Sequence, residues 1–236
     1  MRLRTRYGRW LPLLWLMVID TAAAAWSDEE RADRIGVGTV ERGAAKARAA
    51  GCLGCHGDQA DTGHVRLSAQ PAAYLLAQLD RFASGQRRHP QLSAEAAALA
   101  PDDAADIAAW FASREPGPAA GAIEDDGSNS ARLFLHGDRS RDVIACRSCH
   151  GDDGGGAVSG SDSYPALAGQ AADYLRARLR SWRAGAPAGA PVSVMNLIAR
   201  TLGDAEIDAL SAWLSRQPRP FPGSPAPPFT TKESVR

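Results

Sequence analysis

The sequence predicts an all-α protein made of two copies of one small helical unit in tandem. Two Cys-x-x-Cys-His motifs stand 94 residues apart, beginning at Cys52 and Cys146. The segments that follow them repeat one another's apolar residues at helical spacing. No stretch alternates apolar and polar residues for long enough to build a sheet. The length of 236 residues suits one large domain or two small ones. Hydrophobic residues at 44% and charged residues at 23% exclude bulk disorder, a collagen and a polytopic membrane protein. With 27 basic and 27 acidic side chains there is no electrostatic basis for binding nucleic acid.

The elements follow in chain order. Residues 1–25 read as a secretory signal peptide: Arg2, Arg4, Arg6 and Arg9 form a basic start, Trp10 to Ile19 an apolar run, and Ala22 to Ala25 a cleavage site of small residues. The run is about half the roughly 20 apolar residues that a spanning helix needs, and no later segment is long enough, so the mature protein is expected to be exported and not membrane-spanning. Cleavage removes four Arg and one Asp, leaving a net charge of −3. The first unit, residues 37–114, opens with a helix over residues 40–50 and then the first motif. In residues 66–85, Leu75, Leu79 and Phe82 recur at i, i+4 and i+7, and Gly85 supplies a stop. A closing helix over residues 99–113 has Pro101 at its first position.

Residues 115–129, rich in Pro, Gly and acidic side chains, make a linker. The second unit, residues 130–217, repeats the order. A helix over residues 130–136 precedes the second motif, and in residues 166–185 Leu175, Leu179 and Trp182 recur as in the first copy, ending at Gly185. The closing helix over residues 202–216 begins with Gly203, Asp204 and Glu206, which suit a positive helix N-terminus. Trp110 and Trp213 hold equivalent places and are expected in the cores. Residues 218–236 form a Pro-rich tail expected to be extended or disordered. Units of about 80 to 90 residues bury only a thin core by themselves, which a large apolar ring at the centre would thicken.

All four cysteines belong to these motifs, Cys52 and Cys55 before His56, and Cys146 and Cys149 before His150. In an exported chain they could form two disulfides in any of three pairings, a Cys₄ zinc site, or a thioredoxin-like redox pair. Disulfides and zinc leave the histidine and the glycine after both pairs without a purpose. Covalent haem c gives them one: two thiols three residues apart at the start of a helix share a face and can bond the two vinyl groups of one haem edge, and the next residue offers its imidazole to the iron. Two such motifs call for two covalently bound haems c.

These residues together resemble the cytochrome c-four type, the two-domain diheme class I cytochromes c. The second copy carries the likeness most fully, in CHGDDGGG, YPALAGQAADYL and APVSVMNLIARTL, and it extends over about residues 37 to 216. The resemblance implies two tandem class I cytochrome c domains, each wrapped around one haem, exchanging electrons across their interface. It implies that Tyr164, Pro165 and Leu167 supply the segment whose backbone carbonyl holds the Nδ1 proton of His150, fixing the tautomer that turns Nε2 to iron. It places Met195, in a Pro- and Gly-rich loop before the last helix, as the sixth ligand of the second haem, since Ala199 and Leu202 follow it in the family's pattern.

The first copy departs from that pattern. Leu92, Ala96 and Leu99 align with Met195, Ala199 and Leu202, so a leucine stands where the methionine should be. Met1 and Met17 leave with the signal peptide, which makes Met195 the one methionine of the mature chain. The first iron therefore takes His89, or His64, or no protein ligand. Val65 also replaces the family's proline, and the Gly-rich stretch after the motif is missing. The leading expectation is a periplasmic diheme cytochrome c carrying electrons in a respiratory or oxidative chain. Its partners would be redox proteins: a respiratory complex, an oxidase or a dehydrogenase. The alternative is a haem enzyme whose methionine-less first haem binds peroxide, a sulfur oxyanion or a small gas, with Arg87, Arg88 and His89 nearby and the second haem as relay. A redox or gas sensor would need a signalling domain that the sequence does not carry.

Overall fold

A computed structural model describes residues 39–57, 64–116, 123–160, 162–186 and 192–219. The signal peptide, the middle of the linker and most of the tail lie outside these residues. The order of elements is α1 (Val40–Ala49), α2 (Leu53–His56), α3 (Ala72–Ala83), α4 (Pro90–Ala98) and α5 (Pro101–Ser113), followed by α6 (Asn129–His136), a 3₁₀ turn (Arg139–Arg141), α7 (Arg147–His150), α8 (Ala172–Ala184), α9 (Val194–Arg200) and α10 (Asp204–Arg216). A short antiparallel hairpin, β1 (Ala157–Ser159) with β2 (Asp162–Tyr164), lies between α7 and α8. The expectation of helices throughout is met apart from this hairpin. At three residues a side, its strands are too short to leave an alternating pattern.

The first domain packs α1 across α5. Thr39 caps α1 by accepting from the Arg42 N–H at 3.4 Å, and its own N–H donates to Asp106 at 2.7 Å. Arg42 grips the buried Asp106 with Nε at 2.8 Å and Nη2 at 3.0 Å. Burial works to raise the Asp106 pKa, but the hydrogen bonds from Arg42 and from the Thr39 backbone outweigh it and bring the carboxyl below its usual range. The crossing requires a glycine: a Cβ on Gly43 would lie 2.0 Å from the Asp106 carbonyl and 2.6 Å from the Trp110 Cβ. Leu75, Leu76, Ile107, Trp110 and Phe111 form the core, with the last two rings edge to face at 4.7 Å.

The second domain places α6 and α8 against α10. Ser128 caps α6 through the Ala131 N–H at 3.1 Å, and Phe134, Leu179, Ile207, Leu210 and Trp213 fill its core. Arg141 joins the turn before the motif to the start of α10 by a two-pronged contact to Glu206, at 2.8 and 2.9 Å, and by one to Asp138 at 2.8 Å. Glu206 in turn accepts from the Gly203 N–H at 3.0 Å, satisfying a donor at that helix's start.

The two domains meet through matched loops, residues 66–70 and 166–170. Gln70 donates to the Ala166 carbonyl at 3.0 Å and accepts from the Ala166 N–H at 2.9 Å. Gln170 accepts from the Arg66 N–H at 2.7 Å and donates to the Arg66 carbonyl at 3.0 Å. Both amides are buried, so each domain clasps the other by the same residue at equivalent places. Pro71 packs so close to Gly156 that a Cβ there would sit 2.9 Å from its ring. Among the described residues no helix is long and apolar enough to cross a membrane.

Candidate haem sites

Each Cys-x-x-Cys-His motif forms one helical turn. Cys52 and Cys146 stand at the start of α2 and α7, and His56 and His150 at their ends. No disulfide joins any of the four cysteines. Among the described residues no three His, Cys, Asp or Glu converge as metal ligands, so the two pairs do not assemble into one tetrahedral site. Burial pushes the Cys146 thiol up to about 11, and it donates to the Leu133 carbonyl at 3.8 Å.

Both imidazoles are held in the same way. The Nδ1 of His56 lies 2.9 Å from the Val65 carbonyl, and that of His150 lies 2.9 Å from the Pro165 carbonyl. A carbonyl can only accept, so Nδ1 carries the proton and Nε2 keeps its lone pair. Burial lowers the pKa of both rings and keeps them neutral. Val65 serves as well as a proline because the bond uses the backbone. The loss of the family's proline therefore leaves this contact intact.

The two motifs open onto one continuous cavity of about 450 Å³ that runs across the domain interface, within the range of roughly 300–1,000 Å³ usual for cofactor sites. Cys52 and His56 line one end, and Cys146, Cys149 and His150 the other. Apolar side chains, leucines foremost, make most of the wall. Arg81, Arg87 and Arg178 also face it, and Glu95 is the one acidic side chain among its lining residues. Arg87 lies over the Phe82 ring at 4.5 Å and Arg178 over the equivalent Trp182 ring at 4.6 Å. The donor set fits a haem in each half: thiols for its vinyl edge, an imidazole nitrogen for iron, apolar walls for the ring, and guanidiniums for the carboxylates that a haem carries.

Met195 lines the second half of the cavity, but from a helix and not from a loop. Ser193 and Asn196 exchange capping contacts at the start of α9, and Asn196 Nδ2 donates to the Trp182 carbonyl at the end of α8 at 2.9 Å. That tie fixes the turn bearing Met195. In the first half α4 takes the equivalent course and presents Leu92. His89 does not line the cavity: it is exposed, and its Nδ1 caps α4 by accepting from the Leu92 N–H at 3.3 Å. His64 is exposed too, its ring 6.2 Å from that of His56 and next in the chain to the carbonyl that holds it. Sequence reasoning missed Glu95 and the paired glutamines. The correspondence of Gln70 with Gln170 was the available signal for the second.

The comparisons agree with this geometry. The family described as Cytochrome c matches residues 139–217. The thiosulfate dehydrogenase electron acceptor of Thiomonas intermedia (strain K12) is 34% identical over 181 residues, covering 74% of this chain and 82% of that protein. Cytochrome c4 of Thiocapsa roseopersicina is 33% identical, covering 75% and 92%. Among solved structures, the thiosulfate dehydrogenase TsdBA of Marichromatium purpuratum in its as-isolated form superposes with a TM-score of 0.61 at 36% identity. That match covers 76% of this chain and only 40% of that longer one. With likeness spanning both halves and a haem pocket in each, the chain belongs to the c4-type diheme cytochromes c, electron-transfer proteins with two covalently bound haems c.

Proposed function

We propose that this protein is the periplasmic electron acceptor of a thiosulfate dehydrogenase, taking one electron at each haem and passing it to a further redox protein. Each haem supplies a one-electron ferric/ferrous couple. The residues of the chain hold and tune that couple. Cys52 and Cys55 would hold the first haem and Cys146 and Cys149 the second, His56 and His150 would offer Nε2 to the irons, and Met195 would offer the second iron a soft thioether that favours the ferrous state. The observation that carries the reading is the single cavity lined by Cys52 and His56 at one end and by Cys146, Cys149 and His150 at the other. It brings the two sites within one apolar enclosure, which excludes water and limits reorganisation on electron transfer. The choice of donor is supported by the relative from Thiomonas intermedia, whose likeness runs through both domains. The pattern of residues 1–25 supports export, and exported apocytochrome is where thioether attachment needs its thiols reduced.

Stopped-flow spectroscopy tests this directly. The ferric protein should stay oxidised with thiosulfate alone and become reduced at both haems when thiosulfate and a thiosulfate dehydrogenase are added together. Reduction by thiosulfate alone would instead make the chain itself the enzyme.

A further inference from the structure

Helix α9 brings Met195 to the cavity wall and, one turn later, Ile198; Leu202 follows. Helix α4 brings Leu92, Glu95 and Leu99 to the wall of the first half in the same register. A carboxylate thus stands one turn beyond the missing methionine, where the second domain has an isoleucine. Glu95 is an exposed side chain at the mouth of the cavity, its Oε1 accepting from Gln91 Nε2 at 2.7 Å, and unlike His89 and His64 it is one of the residues that line the cavity. Neither histidine lines the cavity: His89 is turned outward as a helix cap, and His64 is exposed with its ring 6.2 Å from that of His56.

We propose that Glu95 is the distal group of the first haem, its carboxylate taking the sixth position on the ferric iron. The assignment rests on His56 being the proximal ligand of a haem bound at Cys52 and Cys55. A hard, anionic oxygen favours ferric iron, whereas a thioether favours ferrous iron. The two haems of one molecule are thereby set apart in potential, the first below the second. Leu92 and Leu99 flank the carboxylate and leave it no rival ligand on that helix.

Glu95→Gln and Glu95→Ile test this in the purified diheme protein, the second variant copying the side chain that the other domain carries. Haem content by pyridine haemochromogen, electron paramagnetic resonance of the ferric state, and potentiometry are measured on each. Both variants should keep two haems, change the ferric signal of the first haem, raise its potential, and leave the second haem's signal as it was. Unchanged signal and potential in both variants, with two haems bound, would overturn the proposal, as would a first-haem signal that changes on His89→Ala. A parent protein carrying a single haem would fail at the earlier step and overturn the underlying reading of the motifs.

Discussion

On the side of the motif helices the two domains are near copies. Each has two thiols and an imidazole on one turn of helix, and each imidazole is held at 2.9 Å by a backbone carbonyl of the following loop. Across the cavity they part. Helix α9 is tied to the end of α8 by Asn196 and carries a thioether, while in α4 the equivalent Ser93 accepts only from its own helix's start, at His89, and the methionine position is a leucine. The side that attaches a haem is thus duplicated, and the side that sets its potential has diverged. Backbone-mediated contacts survive side-chain replacement, as at Val65. A contact made by one side chain disappears with it.

The largest effect comes from removing attachment. Cys146→Ala with Cys149→Ala should halve the covalent haem, as should Cys52→Ala with Cys55→Ala; intact mass spectrometry would read one haem per chain in each. Next in size is an exchange of distal residues. Met195→Leu should remove the methionine-to-iron charge-transfer band, lower the second haem's potential and open it to carbon monoxide. Leu92→Met should create that band in the first haem and raise its potential, if α4 presents position 92 as α9 presents 195.

Replacing Gln70 by Ala leaves the buried backbone N–H and C=O of Ala166 unpaired, at a cost of about 1–3 kcal/mol each, and replacing Gln170 by Ala, whose partner groups on Arg66 are only part-buried, costs less. Chemical denaturation should then show two separated transitions where the parent shows coupled ones. A smaller, pH-dependent effect marks the second domain. Hydrogen bonds from Ser140 and then Arg141 hold the Asp138 carboxyl at about 2, below its ordinary 3.8, and Glu206 is lowered by Arg141 and the Gly203 N–H. Carboxyls depressed in the folded state contribute stability above their unfolded pKa values, and that stability is lost as pH falls toward 2. Acid unfolding of the second domain should therefore steepen below about pH 4, and Arg141→Ala should flatten that dependence. The smallest effect is at Ala69, whose φ of +55° matches the +64° of the equivalent Gly169. Ala69→Gly should raise the melting temperature slightly, since an L side chain in that region costs about 1–2 kcal/mol and part of this is offset by glycine's entropy.

What was legible in the sequence was local. Helical spacing of Leu75, Leu79 and Phe82 and of their counterparts placed α3 and α8 within a few residues, and the motif spacing placed the thiols and imidazoles. Met195 is expected in a loop, whereas it lies on α9, because that helix is only seven residues long and begins beside Pro and Ser; α4, nine residues long, leaves as little trace. Their stability comes from capping and from packing on α3 and α8, which no window of sequence displays. His89 is the histidine nearest the missing methionine, yet it caps α4 and stays exposed, while Leu92 and Glu95 of that helix line the wall. The glutamine clasp was invisible for a different reason: its partners are backbone atoms 96 and 104 residues away, and an amide side chain gives no sign of which peptide group it will meet.

That clasp has a consequence for how the molecule can change. Gln70 meets the loop of Gln170 and Gln170 meets the loop of Gln70, the isologous arrangement that a two-fold pair of identical subunits would make. Because both halves belong to one chain, the seam need not be strong enough to hold separate molecules together; covalent linkage raises the effective concentration of each half for the other. A symmetric dimer would have to alter both copies of a residue at once. Here one half can keep its thioether while the other loses it, and asymmetry between the two redox centres is heritable through single substitutions without any change at the seam.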